Sequence, residues 1–419
     1  MMRLFSVLIV FVSLQFPLGA EDWAQFRGPR GNGVTVSRNY PTDWGIERNV
    51  RWSVDLPQPG NGSAIVTGNK VLVCSAVDTK GLERSLFCFD SLTGKQLWVQ
   101  NVNISRAMPT HKTNPYGGST PASDGQRVVV WHASAGLHAY SMDGAKLWSR
   151  DLGEFQHMWG YGSSPIIIGD RVFLNSGAGK KVFVAAFDLS TGNTIWRHDE
   201  PVDGDGDYNN ERKYMGTWST PISIKRQGRG LVVVAMQKRI LGLDAETGEV
   251  VWFFVVDSDR GDLSYSSPMV QGDVCLFNAG FKGPFVAFKI TGVGDLAGDQ
   301  LWRSDNNPQS IGTGVIVDQH VYRPGAGPNL IDCTEIESGK SVWQHRTKGA
   351  FWSSISLSGE VAYATDQRGR TTVFRPSPTG FIELGECQLD DTTNATPALA
   401  NGNVFLRTSR KLWCIGESQ

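Results

Sequence analysis

Few residues of this sequence have types that could catalyse a reaction or hold a metal, and they are scattered. No CxxC motif, HExxH motif, nucleophile elbow or phosphate loop occurs. His132 and His138 flank a predicted hairpin at HASAGLH, where a metal pair is one interpretation, but most of the histidines are interpreted as surface or capping residues. We therefore predict no catalytic residue and no metal site. The seven histidines are His111, His132, His138, His157, His198, His320 and His345.

An acidic run, DGDGDYNNE, extends from Asp203 to Glu211. Its alternating carboxylates are typical of calcium loops, because Ca²⁺ prefers several oxygen ligands. The sixth position is Tyr208 rather than Gly, and the twelfth is Tyr214 rather than Glu, so the run does not match the EF-hand template. A solvated acidic loop is the favoured interpretation, and a calcium site is the alternative.

A set of aromatic and charged residues is the strongest candidate for a binding site. Aromatic residues recur just before strand-like segments, and a few titratable residues lie close to them in sequence. Such a set is typical of a ligand or partner site with aromatic walls and a few orienting charges. The alternative is packing, with the rings only filling the narrow end of a channel. The predicted site residues are Tyr116, His157, Trp159, Tyr161, Trp218, Asp259, Arg260, Tyr265 and Trp352.

The elements that position these residues are predicted by a repeated phrase, Gly-x-x-x-Trp. A further copy, TGFIEL, has Leu384 in place of Trp, and Trp52 in NVRWSVDL precedes any matching Gly. The Gly supplies a tight turn between two strands, and the Trp packs against the neighbouring repeat. The pairs are Gly94/Trp98, Gly144/Trp148, Gly192/Trp196, Gly248/Trp252, Gly298/Trp302 and Gly339/Trp343. The residues predicted to dock one repeat on the next are Trp52, Trp98, Trp148, Trp196, Trp252, Trp302 and Trp343.

A second phrase, Ser/Thr-x-Pro or a variant of it followed by β-rich residues, a turn and a Val, interleaves with the first. Each unit then holds four short strands, which is typical of a β-propeller. The copies are SAIVTGNKV, STPASDGQRV, SSPIIIGDRV, STPISI, SSPMVQGDV, TGVIVDQHV, SSISLSGEV and ATPALANGNV. We predict an all-β fold with eight four-stranded antiparallel blades and almost no helix.

The last unit has only three strands, and NVRWSVDL has the character of a fourth strand without partners of its own. We predict that it completes the last blade and closes the ring at residues 49–416, so that no sheet edge stays open. Residues 21–48 form an N-terminal extension. The predicted blades are approximately 62–100, 118–150, 162–198, 218–255, 265–303, 311–346, 352–388 and 394–416 with 49–56.

The first residues predict export. Arg3 precedes an apolar run from Leu4 to Phe16, and Ala20 ends a segment of small residues, which is typical of a secretory signal covering residues 1–20. An uncleaved anchor is the alternative. No Cys follows the cut, so we predict no lipid anchor. No other segment is apolar enough to cross a membrane, so we predict no transmembrane segment in the mature chain and a periplasmic or secreted protein, which we expect to be a monomer.

The net charge indicates which partners the protein can bind, and the cysteine positions indicate where a disulfide could form. The net charge is -1 and no basic run occurs, which excludes a nucleic-acid face. Cys74 and Cys88 flank a hairpin, where they form either a disulfide or two buried thiols.

The Asp-x-x-Thr-Gly-x-x-x-Trp repeats resemble the docking motifs of the quinoprotein-like propellers, which include PQQ-dependent alcohol dehydrogenases and BamB. The opening DWAQFRGPRGNGV and the ending NATPALANGNVFLRTSRKLWCIGE are similar to secreted PQQ-binding-like proteins of the planctomycete type. The dehydrogenases carry a Cys-Cys pair, a calcium ligand set and long insertions, none of which maps onto this chain, so we expect neither PQQ nor calcium.

This resemblance implies a non-enzymatic, exported scaffold that binds a protein or peptide of the cell envelope on its loop face. Long loops follow Trp98, Trp148 and Trp196, and such loops commonly carry binding sites. The alternatives are a small-molecule or carbohydrate site in the funnel, or PQQ-dependent dehydrogenase activity.

Overall fold

The computed structural model describes residues 21–305, 307 and 309–417. The predicted signal peptide, residues 1–20, lies outside the described residues. The described chain is almost entirely β-strand, with two short 3-10 turns at Ala133–Ala135 and Ala297–Asp299. The strands form eight radial sheets, which confirms the predicted eight-bladed propeller.

Each blade is an antiparallel sheet of four main strands, named here from the innermost outward. Blades 1 to 4 are Ile65–Thr67, Lys70–Ala76, Glu83–Asp90, Gln96–Asn103; Ala122–Ser123, Arg127–Trp131, Leu137–Ser141, Lys146–Arg150; Ile166–Ile168, Arg171–Asn175, Val182–Asp188, Thr194–Glu200; Ile222–Arg226, Arg229–Ala235, Arg239–Asp244, Val250–Val255. Blades 5 to 8 are Met269–Gln271, Val274–Asn278, Phe285–Lys289, Gln300–Ser304; Val315–Val317, His320–Ala326, Asn329–Glu335, Ser341–Arg346; Ser356–Ser358, Val361–Thr365, Arg370–Arg375, Ile382–Gln388; Ala398–Ala400, Asn403–Arg407, Lys411–Ile415, Val50–Asp55.

Three short parallel pairings add to this ring. Val34–Thr35 lies beside Ser356–Ser358 of blade 7, and Gly294–Asp295 lies beside the outer strand of blade 4. Met215–Thr217 pairs with Asp262–Ser264, which ties the loops before blades 4 and 5 together.

The ring is closed by the strand Val50–Asp55, which pairs antiparallel with Lys411–Ile415. Trp52 lies opposite Cys414, and the Leu56 N–H donates to the Arg410 carbonyl at 2.8 Å. The predicted closure is therefore confirmed, and Val50–Asp55 is the outer strand of blade 8.

The repeated Gly-x-x-x-Trp phrase joins neighbouring blades. A Cβ built on Gly248, which has φ +76°, would lie 2.5 Å from the Trp196 indole of the preceding blade. Gly94, Gly144, Gly192 and Gly339 likewise have positive φ and lie against the Trp of the preceding blade. Indole Nε1–H groups then donate to carbonyls in the next blade, in the pairs Trp52–Ser91, Trp98–Met142, Trp148–Leu189, Trp196–Ala245, Trp302–Ile336 and Trp343–Ser377.

Trp252 differs from the other docking residues. It is fully buried against Phe288, but its Nε1–H has no partner among the described residues. Blade 5 lacks the Thr-Gly turn, because the connection before its outer strand runs through Gly294–Asp295 and then a 3-10 turn that contains Gly298. The sequence phrase at Gly298 therefore predicted a tight turn between two strands, whereas the structure places Gly298 in a 3-10 turn where a Cβ would contact no Trp.

A girdle of hydroxyl residues surrounds the propeller axis, and each comes from one copy of the Ser/Thr-x-Pro phrase. In seven of the eight steps a backbone N–H donates to the hydroxyl of the next blade at 2.9–3.1 Å. In the remaining step the Ser267 hydroxyl donates to the Thr220 carbonyl at 2.8 Å. The girdle residues are Ser63, Thr120, Ser164, Thr220, Ser267, Thr313, Ser354 and Thr396.

All six cysteines are free and buried. Cys74 lies opposite Leu86, and Cys88 lies opposite Leu72, so the two thiols are offset along the hairpin rather than paired across it. Of the two interpretations of this pair, the structure therefore has buried thiols.

Within the described part of the chain, no helix has the length and apolar character needed to cross a membrane.

Candidate functional site

The N-terminal extension closes one end of the central channel. We call residues 23–35 the axial segment, because they cross the channel and bond to blades on opposite sides of it. Trp23 is fully buried, and the Arg27 guanidinium donates to the Gly314 carbonyl at 2.5 Å. Its other contacts are Trp23–Val66 in blade 1, Ala24–Ser123 in blade 2, Gln25–Ile167 in blade 3 and Val34–Leu357 in blade 7.

Arg27 holds this segment in place without a carboxylate partner in the described chain. Its guanidinium also donates to the Asn32 carbonyl at 2.8 Å, inside the same segment. Burial lowers the pKa of Arg27 to about 9. A buried cation bonded only to carbonyls is costly, so the segment is held there by the packing of Trp23 and its other contacts as well.

A cavity of about 560 Å³ lies on the loop side of the axial segment. Its floor includes Phe26, and its walls come from the loops that precede the inner strands. Trp159, Trp218, Tyr265 and Trp352 line it and are partly exposed, so it opens towards solvent on the loop face.

One wall of the cavity is aromatic. Ring centroids lie 5.9 Å apart for Trp159 and Trp218, 5.4 Å for Trp218 and Tyr265, and 4.8 Å for Trp159 and Tyr214. The Trp218 Nε1–H donates to the Gly160 carbonyl at 3.0 Å, which fixes that ring. Phe281 stands at the rim with 42% of its surface exposed. This wall is a packed apolar face.

The opposite wall, from blades 8, 1 and 2, is built from amides. Asn61 Nδ2 donates to the Thr113 carbonyl at 2.9 Å and to Asn114 Oδ1 at 3.0 Å. Asn114 Nδ2 donates to the Trp159 carbonyl at 2.7 Å, and Asn394 Nδ2 donates to Asn61 Oδ1 at 3.2 Å. These bonds hold the amides in one orientation before any ligand arrives.

Girdle hydroxyls line the base of the cavity. Each accepts an N–H from a neighbouring blade, and none donates its own hydrogen to another described protein atom. The base therefore presents unused O–H donors. The six residues are Thr120, Ser164, Thr220, Thr313, Ser354 and Thr396.

Three of the residues predicted for the site lie behind the cavity instead of on its wall. Tyr116 donates its hydroxyl to the Met108 carbonyl, and the Arg84 guanidinium lies 5.0 Å from the Tyr116 ring and 5.2 Å from that of Tyr161. His157 is 3% exposed and bonds the Met215 carbonyl at 2.9 Å. Burial lowers the pKa of His157, so the neutral ring packs edge-on against Trp218. These residues support the wall from behind.

Two other predicted residues, Asp259 and Arg260, are exposed in the loop before Asp262–Ser264 and do not line the cavity. The site that the structure assembles thus contains Trp159, Trp218, Tyr265 and Trp352 from the predicted set. Phe26, Tyr214, Phe281, Gln309 and the amide wall also line the cavity, but they were not predicted from the sequence.

A positional rule in the sequence would have found most of the wall. The residue two positions before each girdle hydroxyl lines the cavity in every blade, because alternate residues of an extended chain point the same way. Tyr116 and Tyr161 lie outside this register. The eight residues are Asn61, Gly118, Gly162, Trp218, Tyr265, Ile311, Trp352 and Asn394.

The cavity does not fit a metal-bound quinone cofactor. Its described lining includes no carboxylate, lysine or arginine, and His111 is its one histidine. Across the described residues, no group of three or more His, Cys, Asp or Glu side chains is placed to hold a metal ion. Calcium needs several oxygen ligands, commonly carboxylates, and an anionic quinone needs cations.

Comparison with known proteins gives one family and several structures of the same fold. The family model described as "Outer membrane protein assembly factor BamB" matches residues 82–296. No curated protein sequence matches the chain.

Three solved structures are similar to it at a probability of 1.00. BamB from Moraxella catarrhalis is 16% identical with a TM-score of 0.61, and the match covers 88% of this chain and 98% of that one. The quinohemoprotein alcohol dehydrogenase from Comamonas testosteroni is 12% identical with a TM-score of 0.68, and the match covers 95% of this chain and 81% of that one. The computationally designed Ika8 protein is 13% identical with a TM-score of 0.61, and the match covers 88% of this chain and 100% of that one. An assembly factor, an alcohol dehydrogenase and a designed protein share this fold, so the fold alone does not indicate one function.

Proposed function

The chain belongs to the family of the outer membrane protein assembly factor BamB, and from this premise we propose that it is a non-enzymatic scaffold which binds a protein or peptide partner of the cell envelope. The partner contacts the loop face of the propeller, and a segment of it enters the aromatic cavity. Export to the periplasm or the exterior, and a monomeric state, are parts of the same proposal.

The observation that carries this proposal is the preformed aromatic wall at the cavity mouth. Trp159, Trp218, Tyr265 and Trp352 come from different loops, yet they converge on one opening and stay partly exposed. Rigid, concave clusters of Trp and Tyr are the usual anchors of protein interfaces. A volume near 560 Å³ also lies within the range of typical ligand sites.

The lining chemistry supports binding rather than catalysis. His111 Nδ1 lies 2.7 Å from the Thr113 hydroxyl, which is the one His–hydroxyl contact on the described wall. The Thr113 N–H also donates to His111 Nδ1 at 3.3 Å, so the contact is part of a local turn. No lining carboxylate orients the imidazole, as a nucleophile–base pair would require. PQQ-dependent activity is accordingly not proposed.

Site-specific photo-crosslinking in envelope preparations of the native host tests the proposal. A crosslinker at Trp352 should trap a defined protein, whereas one at Gln126, which is exposed at the opposite face, should not. Trp218→Ala should abolish the product. The control Leu92→Ala, at an exposed apolar residue far from the cavity, should not. Equal trapping from both faces, or full retention in Trp218→Ala, would contradict the proposal.

The amide wall supports a second candidate, a neutral carbohydrate in the same cavity. Asn61, Asn114 and Asn394 face an aromatic wall, and that combination suits a sugar ring with its apolar faces and its hydroxyl edge. Titration with neutral oligosaccharides tests this candidate, and the absence of saturable binding would reject it.

Optical titration with PQQ and Ca²⁺ tests the dehydrogenase alternative and should show no saturable binding.

A further inference from the structure

Resting on the proposed function, we propose that the partner segment in this cavity is an uncharged, proline-rich peptide in the polyproline II conformation. The charge of the cavity, its hydrogen-bond polarity and the shape of its aromatic wall all favour this occupant.

The cavity favours an uncharged segment. Its described lining includes no Lys, Arg, Asp or Glu side chain that could neutralise a ligand charge. An ionised group taken from water into such a site loses its hydration without gaining a counterion. Lysine-rich or acidic segments are therefore poor occupants.

The side chains of the cavity offer more donors than acceptors. Besides the girdle hydroxyls at the base, the Nε1–H groups of Trp159 and Trp352, which can only donate, and the side-chain amide of Gln309 have no hydrogen-bond partner among the described residues. Burial raises the pKa of Tyr265, so its phenol keeps its proton and adds another donor. The acceptor oxygens of Asn61 and Asn114 are already engaged by neighbouring amides.

A proline-rich chain has the complementary polarity. Proline has a carbonyl acceptor but no backbone N–H, and polyproline II leaves its carbonyls unpaired and pointing outward. An ordinary peptide would bring N–H groups that need acceptors, and a sugar would bring an O–H donor with every hydroxyl. The donor excess therefore favours the proline-rich peptide over both.

The aromatic wall suits the shape of such a chain. Proline rings pack on Trp and Tyr faces in aromatic-lined grooves, and the stiff polyproline II helix loses little entropy on binding. Phe281 extends this face to the rim, where Phe281 and Lys282 have φ of +41° and +63°. Two consecutive non-glycine residues in this region are strained, and such strain is typical of residues held in position for a ligand.

Calorimetric titration of the exported protein tests the inference. The probe is the capped peptide acetyl-Ala-Pro-Pro-Ala-Pro-Pro-Ala-amide, and the comparison ligands are a Gly-Ser peptide of equal length and a neutral oligosaccharide. We expect saturable binding of the proline-rich probe, with the Gly-Ser peptide at least about tenfold weaker. Binding of the oligosaccharide in preference to the probe would overturn the inference in favour of the carbohydrate candidate.

Two substitutions test the donor argument. Gln309→Glu replaces the amide donor with a charged acceptor and should weaken the probe by about tenfold or more, whereas the matched change Gln126→Glu on the opposite face should have no effect. Trp352→Phe keeps a ring but removes the N–H, and should weaken the probe by about three- to tenfold, the effect of one hydrogen bond. Unchanged melting temperatures show that the variants fold.

The outcomes separate this inference from the proposed function. If Trp352 crosslinks to a protein partner but the proline-rich probe does not bind, the scaffold proposal stands and this inference is wrong. Equal effects of Gln309→Glu and Gln126→Glu would also overturn it.

Discussion

At the scale of single residues, the blade interfaces depend on glycines that hold a neighbouring indole. Gly248 and Gly272 both have positive φ, +76° and +56°, but only Gly248 lies against a Trp. A side chain at either position is strained by its backbone conformation. Only at Gly248 would it also displace the Trp196 ring.

Replacement of these two glycines separates the two effects. Gly272→Ala should lower the free energy of unfolding by about 1 kcal/mol, from backbone strain alone. Gly248→Ala should cost a further ~1–3 kcal/mol, the usual effect of overpacking. Urea denaturation of both variants measures the difference. Equal losses would show that the contact with Trp196 does not matter.

His132 predicts a pH dependence. The residue is 1% exposed, both ring nitrogens lack partners among the described residues, and burial is the main reason that its pKa falls well below the usual value. The neighbouring His138 and Arg84 lower it further. In the unfolded chain the imidazole takes up a proton below about pH 6.5. This contribution to stability is therefore present above that pH and is lost as the pH falls below it.

The variant His132→Leu tests this contribution. Wild-type protein should lose up to about 1.4 kcal/mol per pH unit through His132 as the pH falls from about 6.5 towards 5.5. The free energy of unfolding of the variant should not show this part of the decrease with falling pH. Denaturant unfolding at several pH values measures it, and identical pH profiles would refute the role given to the residue.

At the scale of elements, the hydroxyl girdle links all the inner strands around the axis. Thr313→Val removes the acceptor of the Ser267 N–H, which is buried and would then be unsatisfied. The free energy of unfolding should fall by about 1–3 kcal/mol. The control Thr194→Val, on an exposed position of an outer strand, should change it by less than about 0.5 kcal/mol. Thermal and urea unfolding give both values.

The repeated phrases made the elements predictable, because each phrase carries its own turn and its own packing residue. They predicted eight blades and the closing strand at Trp52. Where the phrase was degenerate the prediction failed: Gly298 lies in a 3-10 turn, because Gly294–Asp295 pairs with blade 4 instead. Part of the site could be predicted as well, since Trp218, Tyr265 and Trp352 share the register of the girdle.

The rest of the site depends on contacts between residues distant in sequence. Phe26 reaches the cavity only because the axial segment crosses the channel, and nothing near it in the sequence shows that path. Tyr116 and Tyr161 are aromatic and close to the girdle in sequence, but they point behind the wall, where Arg84 lies over both rings.

At the scale of the molecule, the axial segment and the closing strand have different roles. Deletion of residues 49–56 should leave Lys411–Ile415 as an open edge, which favours association. Deletion of residues 21–35 should also lower the melting temperature, since Trp23 is fully buried, but it should leave the ring closed and monomeric. Light scattering after size exclusion distinguishes the two. Self-association of both variants, or of neither, would contradict the different roles assigned to the two segments.

The register of the closing strand determines how the propeller would respond to tension. Val50 faces Ile415 and Asp55 faces Lys411, so the chain enters and leaves this strand pair at the same end. Tension between Asn49 and Gly416 would break the ladder one bond at a time, like a zipper, starting at their 2.9 Å hydrogen bond. A pull from upstream of residue 23 reaches this pair only after the axial segment has been drawn out of the channel. The buried Trp23 and Arg27 therefore resist a pull on the N-terminus before any force reaches the closing strand pair.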